Sequence, residues 1–289
     1  MDRVAREACR RAARLLDEAD CLVIGAGAGM GVDAGLPDFR GAQGFWGAYP
    51  ALGREGLAFT DIANPQAFRD RPCVAWGFYG HRLALYRRTP PHAGYQVLRA
   101  MGERCAGGAF VFTSNVDGHF QRAGWVPERV MEAHGSIHRL QCVEPCQATT
   151  WTADGLEPRI DEARCEWLGP LPTCPECGEL ARPNILMFGD FAWVDGAEHD
   201  RTERLVEWLR THRRPVALEL GAGNAVPTVR SFCRALRTPL IRINPDYIST
   251  TVSETVDIAS GALAALQAIA AELALPLGDL DASGSQTNT

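Results

Sequence analysis

The apolar run Cys21-Leu22-Val23-Ile24, with the glycine-rich stretch Gly25-Ala26-Gly27-Ala28-Gly29-Met30-Gly31 behind it, constrains the fold more than any other feature of the chain. A short run without polar alternation must be covered on both faces, the condition of a central strand in a parallel sheet. Glycines directly after such a strand let backbone N–H groups approach a phosphate closely. Strand and loop together read as the opening of a doubly wound nucleotide-binding unit. The dehydrogenase fingerprint G-x-G-x-x-G is not met. Counted from Gly25 its last position is Met30, and from Gly27 it is Val32. This counts against an ordinary NAD oxidoreductase.

Comparable apolar runs recur at 109–113, 129–132, 185–188, 216–220 and 240–244. Helical periodicity covers 4–19, with Val4, Ala8, Ala12, Leu15 and Leu16 on one face, and then 199–211, 225–236 and 260–273. Strands alternating with helices give an α/β class, a doubly wound (Rossmann-like) parallel sheet. Two stretches break the rhythm and read as insertions that build a smaller helical plus zinc-binding module. Residues 42–95 are rich in aromatic residues and proline, and 140–181 carry paired cysteines. The expected division is therefore 1–41, 96–139 and 182–275 for the nucleotide-binding domain, 42–95 and 140–181 for the small one, and a disordered tail at 276–289.

At 46% hydrophobic and 22% charged residues, 289 residues can bury a sizeable core. No run reaches the roughly 18 apolar residues of a membrane helix. The charged N-terminus lacks the apolar core of a signal sequence, so a cytoplasmic protein is expected. A net charge of −6 disfavours a dedicated nucleic-acid binder.

Four polar constellations carry candidate chemistry. Gly35-Leu36-Pro37-Asp38-Phe39-Arg40-Gly41 sets an acid, an aromatic and a guanidinium side by side, which suits a loop over a polar ligand better than a core. Thr113-Ser114-Asn115-Val116-Asp117-Gly118 follows an apolar run, where α/β ligands bind; it also fits an Asx turn. His134, in Glu132-Ala133-His134-Gly135, again ends an apolar run and is the side chain type suited to move a proton near neutral pH. Cys142, Cys146, Cys174 and Cys177 form a C-x3-C and a C-x2-C pair about thirty residues apart. Four thiolates can close a tetrahedral Zn2+ site and leave no open position, so the metal reads as structural. Cys165 is a spare candidate.

These segments resemble the sirtuin family of NAD-consuming protein deacylases. Residues 27–40 are similar to its cofactor-loop signature GAGxSxxSGIPDFR, with Gly31 and Ala34 where the family carries hydroxyls. Residues 113–117 resemble TQNID, with Ser114 in place of Gln, and His119-Phe120 stand where the family has Leu-His. His134-Gly135 match its HG pair. Residues 182–190 resemble RPxVVxFGE, 221–227 resemble a GTSLxVxP loop one residue shorter, and Ile243-Asn244 match an IN pair.

The resemblance implies a general base at His134, with Asn115 and Asp117 addressing the ribose and the nicotinamide amide. It implies NAD contacts at Gly27, Ala28, Gly29, Asp38, Phe39, Arg40, Ser114, Gly221, Gly223 and Asn244, with Phe39 covering the reactive carbon. Ile185, Leu186, Phe188 and Gly189 would grip an acylated-lysine protein or peptide. Tyr79 and Arg82 resemble the Y-x-x-R feature of members that accept acidic acyl chains such as succinyl or malonyl. The missing hydroxyl and amide groups would each weaken NAD binding by roughly 0.5–1.5 kcal/mol. ADP-ribosyl transfer or NAD hydrolysis in the same pocket, and a zinc-stapled NAD sensor without turnover, are the competing expectations.

Overall fold

The computed structural model describes residues 3–38, 41–196, 198–246 and 255–276. In the first half of the chain the elements are α1 (Arg3–Glu18), β1 (Cys21–Ala26), α2 (Gly41–Ala48), α3 (Pro50–Arg54), α4 (Phe59–Ile62), α5 (Pro65–Asp70), α6 (Pro72–Arg88), α7 (Gly94–Arg104), β2 (Ala109–Thr113), α8 (His119–Arg122), β3 (Val130–Glu132) and β4 (Gly135–Cys142). There follow β5 (Trp151–Thr152), β6 (Ile160–Asp161), β7 (Glu166–Trp167), β8 (Ala181–Ile185), α9 (Glu198–Arg210), β9 (Pro215–Leu220), α10 (Thr228–Ala235), β10 (Leu240–Ile243), β11 (Thr255–Ile258) and α11 (Ala262–Glu272).

Six strands make one sheet in the order β11-β10-β9-β1-β2-β3, and every pairing in it is parallel. The strand order reverses between β1 and β9, the switch point at which doubly wound sheets bind ligands. The absence of polar alternation in these strands has a direct cause. Leu22 and Ile24 enter the core shared with α1, α7 and α11, whereas Cys21 and Val23 enter the core shared with α9 and α10. Strand β1 is thus sandwiched between helices, and both of its faces must be apolar.

The exceptions to that rule line up. Glu219 on β9, Arg242 on β10 and Asp257 on β11 are adjacent in register on the α10 face. Arg242 Nε lies 2.9 Å from Glu219 Oε1, and its Nη1 lies 3.2 Å from Asp257 Oδ1. From α10, Arg230 Nη2 reaches the same Glu219 oxygen at 3.2 Å. Glu219, Arg230 and Arg242 are all buried. Arg230 also donates to the Ala222 carbonyl at 3.1 Å and to the Asn224 side chain. A buried charge ladder therefore ties the sheet to the loop that leaves β9.

A second core gathers α2 to α6 around the aromatic residues Phe45, Phe68, Trp76 and Phe78. Helix α6 is buried over the unbroken stretch from Val74 to Gly80, as a helix apolar on all sides must be. Ile137 and Leu140 of β4 and Ile185 of β8 pack into the same core. Strands β5, β4 and β8 form a separate antiparallel sheet.

Here the expectations need correction. The run 185–188 is not a strand of the parallel sheet. Only Ile185 belongs to a strand, β8, which pairs with β4. The polar residues ahead of it hid that strand. Arg182 lies inside because it forms a 2.8 Å ion pair with Asp190, and Asn184 lies inside because it donates to Gln141 Oε1 and to the Val194 carbonyl. The helix expected from 225 starts at Thr228, after Pro227. Strand β11 escaped notice because Thr255-Val256-Asp257-Ile258 alternates instead of running apolar. The tail assigned to disorder lies, from 277 onward, outside the described residues. Among the described residues no helix is long and apolar enough to cross a membrane.

The paired cysteines meet as their spacing requires. Cys142 Sγ lies 3.7 Å from Cys177 Sγ, and Cys146 Sγ lies 3.7 Å from Cys174 Sγ. All four sulfurs fall within 4.8 Å of one another. A tetrahedron of thiolates with Zn–S bonds of about 2.3 Å has edges of about 3.8 Å, so the donor set fits zinc. Cys165 is buried elsewhere, against the second core.

Two outcomes follow from this architecture. The purified protein is expected to carry about one zinc per chain, and chelation should lower its melting temperature, because metal binding contributes folding free energy directly. Metal analysis finding no zinc would contradict the assignment. Arg230→Met should destabilise the fold by about 3 kcal/mol, since it removes one of two buried cations from a buried carboxylate. Denaturant unfolding that shows a loss below about 1 kcal/mol would mean that the ladder does not depend on Arg230.

Candidate active site

At the carboxyl ends of β1, β2 and β9 lies a cavity of about 610 Å3. Its first wall is made by two loops in close contact. The chain after β1 forms two short 3-10 turns, Ala28–Met30 and Val32–Ala34. The chain after β9 turns at Gly221, whose φ is +57°. A Cβ on Gly29 would sit 2.7 Å from the Gly221 Cα, and one on Gly221 would sit 2.4 Å from the Gly29 Cα. Only glycine at both positions allows this approach. Gly29 and Gly221 thus stand behind the wall, while Gly27, Ala28, Ala222, Gly223 and Asn224 face the cavity. Asp33, in the segment where the family hydroxyls are missing, accepts the Leu263 N–H at 2.7 Å and so tethers the loop to the start of α11.

Ser114, Asn115, Asp117 and His134 all line the same space. Thr113 donates to the Ala26 carbonyl through its hydroxyl, and Asn115 Nδ2 donates to the Gly27 carbonyl at 3.0 Å. The end of β2 is therefore laced to the glycine loop. Asp117 Oδ1 accepts the His119 N–H at 2.9 Å, so the Asx turn and the lining role occur together. His138, to which the family gives no role, places Nε2 2.9 Å from the Asp117 carbonyl.

His134 sits between β3 and β4. Ala133 N–H donates to Thr113 O and Leu186 N–H donates to His134 O, fixing the backbone on both sides. Gly135 has φ +72°, and a Cβ there would lie 2.2 Å from the Asn184 carbonyl, which explains the glycine after the histidine. The ring places Nε2 3.0 Å from Thr228 Oγ1 at the start of α10. Burial pulls the imidazole below its usual value near 6.5, while the Ser114 carbonyl pulls weakly the other way. The ring is held neutral near pH 7, the form a general base needs.

Away from the glycine loops the cavity is bounded by Ile185, Leu186 and Phe188 and by Tyr79, Arg82 and Tyr86 of α6. Leu186 and Phe188 are about 36% and 41% exposed, so an apolar rim faces solvent. Gly189 forms the turn behind Phe188 with φ +63°. Tyr79 stacks on Phe68, and Arg82 is only 8% exposed, which excludes a solvated arginine on an amphipathic face. Burial pushes the Tyr79 phenol upward, so it remains a donor.

Asp38 and Asn244 also line the cavity, and Asn244 Nδ2 donates to the Ala222 carbonyl at 3.1 Å. Phe39 and Arg40 lie outside the described residues. Sequence reasoning missed Thr228, Tyr86 and the Glu219–Arg230–Arg242 set. For the last of these a signal existed, a charge at an inward position of two apolar strands. Thr228 and Tyr86 carried none.

Comparison with known proteins gives the chain's relatives. A sequence model of the Sir2 family matches residues 27–205. An NAD-dependent protein deacylase of Aquifex aeolicus is 32% identical over 173 residues, 58% of this chain and 62% of the relative. One from Thermococcus kodakarensis is 33% identical over 62% of this chain and 63% of its own length, so the chain spans less than two thirds of these two relatives. An NAD-dependent protein deacylase of Thermus thermophilus is 30% identical over 263 residues, 89% of this chain and 92% of the relative. Among solved structures, a Sir2 homologue in complex with NAD superposes with a TM-score of 0.68 at 24% identity, covering 90% of this chain and 92% of its own. With the family match spanning more than half of the chain and the Thermus relative aligned over nearly its whole length, this chain belongs to the Sir2 family.

Proposed function

We propose that the chain is an NAD-dependent protein-lysine deacylase that releases nicotinamide, free lysine and an O-acyl-ADP-ribose. The observation that carries this reading is the convergence of His134, Asn115 and Asp117 on one cavity that also opens to the apolar rim of Leu186 and Phe188. The names of the Aquifex, Thermococcus and Thermus relatives support the same activity.

The donor set suits a dinucleotide. Backbone N–H groups at Ala28 and Gly223 would face phosphate, and the Asn244 amide would face a sugar hydroxyl. NAD, when bound, supplies a ribose carbon activated by its nicotinamide leaving group. The chain's own residues do the remainder. Asn115 and Asp117 orient the nicotinamide side of the cavity, and His134 takes a ribose hydroxyl proton on Nε2 once the Thr228 contact yields. Ile185, Leu186 and Phe188 would hold the acyl-lysine stem and shield it from water. Cys142, Cys146, Cys174 and Cys177 would hold a structural zinc, and four thiolates would leave no position on it open to the reaction.

The acyl group we assign is acidic. Tyr79 and Arg82 place a phenol and a guanidinium, both buried, at one boundary of the cavity. A carboxylate is the complement of that pair, through charge-assisted hydrogen bonds.

The test is nicotinamide release followed with and without acyl-lysine peptides. Release that requires the peptide and keeps pace with free lysine supports deacylation, and release that ignores the peptide would establish NAD hydrolysis instead. His134→Ala should lower kcat by about 10^2–10^4-fold while leaving NAD affinity mostly intact. Because burial lowers the His134 pKa, its base form persists below the usual 6.5, so the acid limb of kcat/KM should fall below pH 6.5. An acid limb well above that pH would point to a different base. Arg82→Met should reduce the ratio of succinyl to acetyl removal by about tenfold or more, the usual worth of a hydrogen bond to a charged group. Equal loss of both activities would make Arg82 a structural residue only.

A further inference from the structure

We infer that Tyr86 is a specificity-determining residue of the acyl pocket, its phenol completing with Arg82 and Tyr79 a receptor for the carboxylate of a dicarboxylic acyl chain. The inference rests on the acidic-acyl reading above and adds to it a residue outside the Y-x-x-R pair. Tyr86 follows Arg82 by four residues on α6, the spacing that brings two side chains onto one helix face. Its hydroxyl lies 3.0 Å from Arg82 Nε and 2.7 Å from Arg82 Nη2. A guanidinium only donates, so the phenol oxygen is the acceptor in both bonds. Its own proton has still to be given away. Among the described residues, every hydrogen bond of that hydroxyl has it accepting. Tyr86 is 5% exposed and lines the cavity. Burial raises the phenol above its usual value, so the proton stays on at working pH.

A buried donor facing a cavity calls for an acceptor from whatever enters. Tyr86 also settles how that acceptor arrives. The Nε–Nη2 edge of a guanidinium is one of the two edges that grip a carboxylate side-on, and here it is taken by the phenol. A carboxylate is therefore kept off that edge, and the Tyr86 O–H beside it is a donor it can meet. Tyr79 lines the same cavity, and its phenol is a second hydroxyl on this helix. The face of the Tyr86 ring lies 5.3 Å from the Arg82 guanidinium carbon, which holds the cation in place before substrate arrives. An acetyl group carries no second carboxyl to meet these donors, whereas a succinyl or malonyl group does.

The test uses the full-length, zinc-loaded protein at saturating NAD, with one peptide bearing succinyl-lysine or acetyl-lysine. Wild type, Arg82→Met, Tyr86→Phe and Tyr86→Gln are compared, with KM and kcat measured separately. Tyr86→Phe should raise the succinyl-peptide KM about tenfold and lower the succinyl-to-acetyl ratio of kcat/KM by a similar factor. Tyr86→Gln, which keeps a donor and an acceptor, should recover part of that ratio. Circular dichroism and thermal melting of each variant report whether it is folded, and calorimetric binding of the succinyl peptide gives a readout independent of turnover. If Arg82→Met loses the ratio and Tyr86→Phe keeps it, the inference fails while the acidic-acyl reading stands. Equal loss of both activities in Tyr86→Phe also overturns it, because that is the mark of a packing role. A wild type that removes acetyl alone and binds no succinyl peptide overturns the inference and the acidic reading together.

Discussion

The close approach of Gly29 to Gly221 is the constraint on which the site depends. Two strands that are neighbours in the sheet, β1 and β9, send their loops in directions that would normally diverge at the switch point. Here the loops lie back to back because neither carries a Cβ at the contact. Asn115 then fastens the end of β2 to the same loop through the Gly27 carbonyl. Any residue larger than glycine at either position would push backbone against backbone, which no rotamer change relieves.

Behind the contact, the Glu219–Arg230–Arg242–Asp257 ladder holds the second loop to the sheet. Its Arg230 grips the Ala222 carbonyl and the Asn224 side chain from below. The Ala222 carbonyl also accepts from Asn244. A loop one residue shorter than the family pattern, and lacking its Ser and Thr, is thus braced from the sheet side. Buried ion pairs of this kind add little net stability compared with apolar packing, but they are costly to break. Their effect is to fix where the loop lies, and so where a ligand's phosphates would be received.

Much of this was legible in the sequence because the physics there is local. An apolar run followed by glycines has few folded solutions, and two cysteine pairs at those spacings have fewer. Residues adjacent in sequence to a strand end, such as Asn115, Asp117 and His134, could be placed at the sheet's carboxyl edge by counting. What was illegible depends on partners far away in the chain. Strand β8 was missed because Arg182 and Asn184 look unfit for a core until Asp190, Gln141 and the Val194 carbonyl are brought to them. Thr228 approaches His134 across 94 positions of sequence separation, which no local pattern reports. Tyr86 looks like an ordinary half-buried phenol until it is seen beside Arg82 at the cavity wall.

The central claim is that this cavity transfers an acyl group from lysine to the ribose of NAD, with His134 as the base. The most direct measurement is the mass of the ADP-ribose product formed from NAD and an acyl-lysine peptide. The account predicts ADP-ribose carrying the acyl group, formed in a one-to-one ratio with free lysine and nicotinamide. Unmodified ADP-ribose formed at once together with an intact acyl peptide, or a peptide that has itself gained ADP-ribose, would contradict it.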